Sequence, residues 1–213
     1  MRVRELIREA MVNRLYERSR EYEFVFRYIA SLLLYPTPFR KFIRILDVGG
    51  GESRLAKTLA GLGFDVTVID IGDVDHGSAR FVRANILEYD FPQGCFNLII
   101  AISTIEHIGL PAYGQKTLDA NGDVETVRKL KKWLAPGGIL LITVPYGRPH
   151  HPPDFERVYN RENIWRLGVW DLEILEKSFY CYNRRDPHDF LPCRQEEAEK
   201  TDAVLCIAAR KPG

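Results

Sequence analysis

The chain has 213 residues, 46% of them hydrophobic, with 30 basic and 29 acidic side chains. That composition supports one sizeable core and excludes a disordered chain, and the charge balance lacks the basic excess usual in nucleic-acid binders, so no nucleic-acid partner is expected. The opening stretch "MRVRELIREAMVNRLYERSREYEF" has charges every few residues and no apolar h-region, and no run approaches the roughly 18 apolar residues of a membrane span. Neither a signal peptide nor a membrane partner is expected, and the predicted location is cytoplasmic.

Val3, Leu6, Ile7, Ala10, Met11, Leu15 and Tyr16 recur at helical spacing, and Glu23 and Arg27 pair at i, i+4, so residues 3–34 are predicted helical. "YPTPF" ends this helix, since proline cannot continue it. Residues 1–38 are read as an N-terminal helical arm and residues 39–213 as the main domain. The arm's apolar stripe needs a partner, either over a ligand pocket or in a homodimer contact.

Predicted strands and helices then alternate. Strands are expected at Ile43–Val48, Val66–Ile71, Arg80–Asn85, Phe96–Ser103, Ile139–Val144, Leu172–Ser178 and Ala203–Ala209. Helices are expected at Ser53–Leu62, Val124–Leu134 (closed by "APGG") and Arg161–Gly168, with a polar loop from Gly109 to Gly122. This is the pattern of a doubly wound, mostly parallel, seven-stranded α/β sheet, whose ligands sit at the carboxyl ends of the strands where the order reverses. The last two strands could pair as a hairpin, and the polar stretch Asp186 to Lys200 between them receives no element. Arg128, Lys129, Lys131 and Lys132 are read as the charged outer face of a helix.

The cysteines are Cys95, Cys181, Cys193 and Cys206, none in a C-x-x-C pair. They read as thiols in a reducing compartment. The alternative, Cys181, His188 and Cys193 converging on a metal, has spacing looser than tetrahedral zinc sites favour.

The stretch "ILDVGGGESRLAKTLAGLGFDVTVID" places a glycine turn between a strand and a helix. A dinucleotide site wants G-x-G-x-x-G, but after Gly49 and Gly51 the third position is Arg54. Asp47 would also set a negative charge against a pyrophosphate. A cationic ligand suits that acid better, and S-adenosylmethionine carries a sulfonium, an ammonium and no phosphate. Asp70, ending the next strand, suits ribose hydroxyls in either ligand class.

"LDVGGGES" resembles the first motif of class I, Rossmann-like S-adenosylmethionine-dependent methyltransferases, an acid-x-Gly-x-Gly pattern, with Ser53 where a third glycine is often found. "RANILEYDFP", "FNLIIAISTIEHIG" and "LKKWLAPGGILLITVP" resemble later motifs of the same family in the same order, with Asn97 where aspartate is common. The resemblance implies that Gly49, Gly50 and Gly51 let the backbone approach the methionine end, which Asp47 helps to hold. Asp70 and Ile71 would take the ribose, Asn85 and Ile86 would border the adenine, and Ser103 would contact the cofactor through its backbone. The product would be S-adenosylhomocysteine. "EHIGLPAYGQKTLDANGD" is also similar to an "EHIGLGRYGD" loop of methyltransferase-like domains, some associated with glycan biosynthesis, which hints at a small-molecule or saccharide acceptor.

Methyl transfer from a sulfonium is an in-line displacement, so the protein chiefly positions two reactants and supplies a base where the acceptor needs one. His107, just after the fourth strand, is the first candidate base, against a reading in which it braces the loop. His150 and His151, after the fifth, are further candidates, alone or as metal ligands with Glu106 or Asp154. A solvated, proline-stiffened loop is the plainer reading of that stretch. Arg148 could take an acceptor carboxylate or phosphate. No D/N-P-P-Y pattern follows the fourth strand, which argues against adenine-N6 or glutamine methylation. The expected function is methylation of a small-molecule or saccharide oxygen. Its rivals are an RNA or protein methyltransferase, an NAD-linked oxidoreductase and a non-catalytic S-adenosylmethionine-binding protein.

Overall fold

The computed structural model describes residues 3–52, 54–73, 75–149, 151–183 and 189–213. Helix α1, Val3–Leu32, is followed by a single helical turn, α2, Thr37–Arg40. Strand β1 is Arg44–Val48, helix α3 Leu55–Gly61, and strands β2, β3 and β4 are Asp65–Asp70, Arg80–Arg83 and Phe96–Ile102. Helix α4, Gly122–Trp133, leads directly into β5, Leu134–Gly147. Strand β6 is Glu173–Tyr182, β7 Phe190–Cys193, α5 Gln195–Ala198 and β8 Asp202–Arg210.

The sheet has eight strands in the order β3-β2-β1-β4-β5-β8-β6-β7. Strands β1 to β5 pair in parallel, and β8 runs antiparallel between β5 and β6. The order reverses between β1 and β4, which sets a crevice at their carboxyl ends. The expected doubly wound sheet is present, with one correction: the polar stretch after Tyr182 contributes an eighth strand, β7, an edge strand paired only with β6. It is only four residues long and contains Pro192, which an edge strand tolerates but which counts against a strand in the sequence. The predicted helix at Arg161–Gly168 is instead two 3-10 turns, Ile164–Leu167 and Val169–Asp171, separated by Gly168 in the left-handed region.

Side chains alternate across the strands, so each face has its own core. On one face Ile45, Leu98 and Ile100 pack with Leu55 and Leu59 of α3 and with Phe24, Val25 and Ile29 of α1. On the other, Leu46 and Ile99 pack with Val127, Leu130 and Trp133 of α4. The N-terminal helix is thus a sheet-covering layer along its Phe24–Ile29 stretch.

Two charge and cysteine expectations are corrected. Lys129 is buried, not outward, and its ammonium donates to the carbonyls of Ile86, Leu87 and Tyr89 at 2.7–2.9 Å. Cys181 and Cys193 form a disulfide that joins β6 to β7, so they are neither thiols nor metal ligands; His188 lies outside the described residues. The cross-link also removes the cysteine argument for a reducing compartment. No helix among the described residues is long and apolar enough to cross a membrane.

Candidate active site

A cavity of about 380 Å3 opens at the carboxyl ends of β1, β2, β3 and β4. Of the residues expected at the cofactor, Asp47, Gly49, Gly51, Asp70, Ile71, Asn85, Ile86 and Ser103 line it. Gly50 lies in the same turn behind them, and a Cβ there would stand 2.9 Å from Asp47 Oδ2. Gly49 has φ +70°, and a side chain there would run into Thr104 at 2.3 Å, so this turn admits only glycine. Asp70 is held by two backbone donors, Gly51 N at 2.9 Å and Gly72 N at 2.8 Å. Each carboxylate oxygen keeps lone-pair capacity for a further donor, such as a ribose hydroxyl. Lys129 fixes the segment that presents Asn85 and Ile86, since its three N–H groups cap three carbonyls within four residues of the loop.

Helix α1 brings two further groups to this site that no sequence motif marks. Arg18 lines the cavity and, among the described residues that do so, is the one lysine or arginine. Its guanidinium lies 3.7 Å from Glu21 and donates to the Ile102 carbonyl at 3.4 Å. Glu21 is fully buried and accepts hydrogen bonds from the hydroxyls of Ser103, at 2.5 Å, and of Thr143. Burial pushes its carboxyl above the ordinary range, against the opposing pull of Arg18 and the two hydroxyls. Ser103 needs this support: its φ is +42°, a costly conformation for a residue other than glycine, and its N–H is met by Thr143 O at 3.2 Å and Thr143 Oγ1 at 3.0 Å.

His107 also lines the cavity. Its Nδ1 lies 2.7 Å from the Phe155 carbonyl. A carbonyl only accepts, so Nδ1 carries the proton and a neutral ring leaves its lone pair on Nε2. Burial lowers the imidazole's pKa, which keeps the ring neutral near pH 7. Glu106 is fully buried with Oε1 3.8 Å from His107 Nε2, and burial holds its carboxyl well above the ordinary range. The rings of Tyr113 and Phe155 stand edge-on to His107, at 5.1 and 4.9 Å.

His151 stands edge-on to the same Phe155 ring, at 5.4 Å between centroids. It is exposed and lines a second cavity beside Glu156, Arg157 and Tyr159, outside the lining of the cofactor cavity. His150 lies outside the described residues. Arg157 braces the loop after β4, donating to the carbonyls of Ile108 and Asp119.

A family profile described as "Methyltransferase domain" matches residues 16–186. The chain belongs to this methyltransferase family. A class I, S-adenosylmethionine-dependent methyltransferase fold follows from that membership, and the structure agrees. The chain is similar to a SAM-dependent methyltransferase from Archaeoglobus fulgidus, with TM-score 0.58, 14% identity, and 99% of this chain and 100% of that one covered. It is similar to 1,6-didemethyltoxoflavin-N1-methyltransferase from Burkholderia thailandensis, solved with bound 1,6-didemethyltoxoflavin and S-adenosylhomocysteine, with TM-score 0.54, 14% identity, and 91% and 87% covered. In sequence it is 27% identical over 118 residues to a ubiquinone biosynthesis O-methyltransferase of Caulobacter sp. (strain K31). That match takes in 50% of this chain and 42% of the relative's length, so the chain shares less than half of that protein.

The residues present fit S-adenosylmethionine. The glycine turn is a cradle that side chains would fill, Asp70 is pre-aimed by two amides, and the cavity carries acids and an arginine to match an ammonium and a carboxylate.

Proposed function

We propose that this methyltransferase domain moves the methyl group of S-adenosylmethionine to a hydroxyl of a small molecule, saccharides included, with His107 as base. The bound cofactor would supply an activated methyl on a sulfonium. Asp70 would accept from the ribose hydroxyls, while Asn85 and Ile86 would border the adenine. Asp47 and the amides of the Gly49–Gly51 turn would meet the methionine end, with Arg18 on its carboxylate. His107 Nε2 would accept the acceptor's proton as the oxygen attacks in line.

The observation that carries this reading is the fixed tautomer of His107: its lone pair lies on the ring nitrogen that the Phe155 carbonyl leaves unused. A base near its own neutral point, held by a second group, meets the ordinary requirement for general-base catalysis. The relative named for an O-methyltransferase reaction fits a hydroxyl acceptor.

The test is calorimetry with S-adenosylmethionine, S-adenosylhomocysteine and NAD, followed by acceptor screening. Micromolar binding of the S-adenosyl ligands without NAD is expected. Binding of NAD alone would overturn the reading. Methylthioadenosine, which lacks the amino-acid end, isolates Arg18: Arg18→Gln should weaken S-adenosylhomocysteine and leave methylthioadenosine unchanged.

A further inference from the structure

Opposite the cavity, at the amino ends of the parallel strands, the chain between α1 and β1 exposes a run of large apolar side chains. Leu34 is 84% exposed, Phe42 67%, Phe39 57% and Tyr35 54%, with Leu33 beside them. Single exposed apolar residues are ordinary, but a contiguous set marks a surface that is covered in use.

This segment is held in place. The Arg40 guanidinium donates to the carbonyls of Leu33, Tyr35 and Leu62 at 2.9–3.1 Å, which folds the turn back on the domain and turns Leu34, Tyr35, Phe39 and Phe42 outward. Pro36 and Pro38 restrict the backbone between them. Lys41 and Arg44 are exposed beside the aromatic rings, and the Lys41 ammonium sits 5.3 Å from the Phe42 ring centre. Between Glu23 and Asp47 the sequence contains no acidic residue, while Arg27, Arg40, Lys41 and Arg44 all fall within it.

We propose that residues 33–44 are an interfacial docking surface for an anionic lipid bilayer. Aromatic and leucine side chains enter the headgroup boundary while neighbouring cations meet lipid phosphates, a mode of attachment that needs no spanning helix. The absence of a spanning segment, which led to the expectation of no membrane partner, does not bear on a protein that lies on the surface. Charge decides between occupants. A second copy packed through the same segment would bring further cations and no acid to answer Lys41 and Arg44. The N-terminal part of α1 does not reach the patch either, because the helix carries it about 45 Å away. Docked this way, the protein keeps its cofactor cavity turned from the bilayer and open to water.

The test is flotation of the purified chain with vesicles of phosphatidylcholine alone or mixed with phosphatidylglycerol. Partition into the anionic vesicles, falling as salt is raised, is expected. Lys41→Gln should weaken it roughly fivefold, the effect of one cation near a charged surface. Phe39→Ser with Phe42→Ser should weaken it more than tenfold with an unchanged circular dichroism spectrum, as these side chains are exposed. Failure of the wild-type chain to float with anionic vesicles would overturn the proposal. So would equal flotation of all variants, or a dimer in sedimentation equilibrium that the two serine substitutions dissolve.

Discussion

His107 Nδ1 and the Phe155 carbonyl stand 2.7 Å apart, and this contact decides which ring nitrogen carries the lone pair. The proton donor comes from the loop after β4 and the acceptor from the loop after β5, so two loops must meet before the base is oriented. With the imidazole pKa lowered by burial, the neutral form persists below the ordinary value of about 6.5. The kcat should therefore be flat from about pH 8 to pH 7 and lose an order of magnitude per pH unit only at lower pH. His107→Gln should lower kcat by about a hundredfold or more with a far smaller change in cofactor affinity. Steady-state pH profiles with saturating S-adenosylmethionine check both.

Asp70→Ala should lower S-adenosylhomocysteine affinity by about ten- to a hundredfold, the range for hydrogen bonds to a charged group. Part of the loss will come from the Gly51 and Gly72 amides that the carboxylate now holds. Calorimetry on a variant of unchanged circular dichroism measures it, and an unchanged Kd would remove Asp70 from the ribose.

Glu106 ties stability to pH. Its carboxyl is raised in the folded state, so the fold binds the proton more tightly than the unfolded chain does. The stabilising effect of that proton is fully present below the unfolded value of about 4.3 and is lost as pH rises through the folded value. Thermal melts of the wild type should drop across this window as pH increases. Glu106→Gln, which stays neutral, should flatten the drop and melt higher than the wild type at the alkaline end.

Lys129→Met should cost at least about 2 kcal/mol, because it strands the carbonyls of Ile86, Leu87 and Tyr89 that the ammonium now satisfies. The loosened segment carries Asn85 and Ile86, so cofactor affinity should fall with stability. Denaturant unfolding and calorimetry on one preparation separate the two effects.

Reduction of the Cys181–Cys193 disulfide should lower stability by about 3 kcal/mol, given the short loop it closes, with a sequence separation of 12. Melts with and without a thiol reductant, compared with Cys181→Ser, read this directly. The Ser variant should match the reduced protein.

The legible parts of the site were those written locally. The glycine turn, Asp70, and Asn85 with Ile86 each sit on a strand end, and an apolar strand followed by glycine or an acid is a pattern within a few residues. The misread parts depend on distant chain. Lys129 looked like surface charge because its helix neighbours Arg128 and Lys132 are surface charge, and only the loop carbonyls after β3 reveal its burial. Strand β7 was missed because it is only four residues long and carries Pro192, which counts against a strand except at a sheet edge that only the fold reveals. Arg18 and Glu21 carry no motif, since their roles exist only once α1 lies across the ends of β4 and β5.

Glu21 is separated from Ser103 by 82 residues and from Thr143 by 122. At ribosomal rates of roughly 5–20 residues per second, this carboxylate is synthesised about 6–24 s before its last partner. The earliest-born element of the chain is therefore among the latest to reach its final place, and the cofactor pocket gains its inner wall only after β5 has been synthesised.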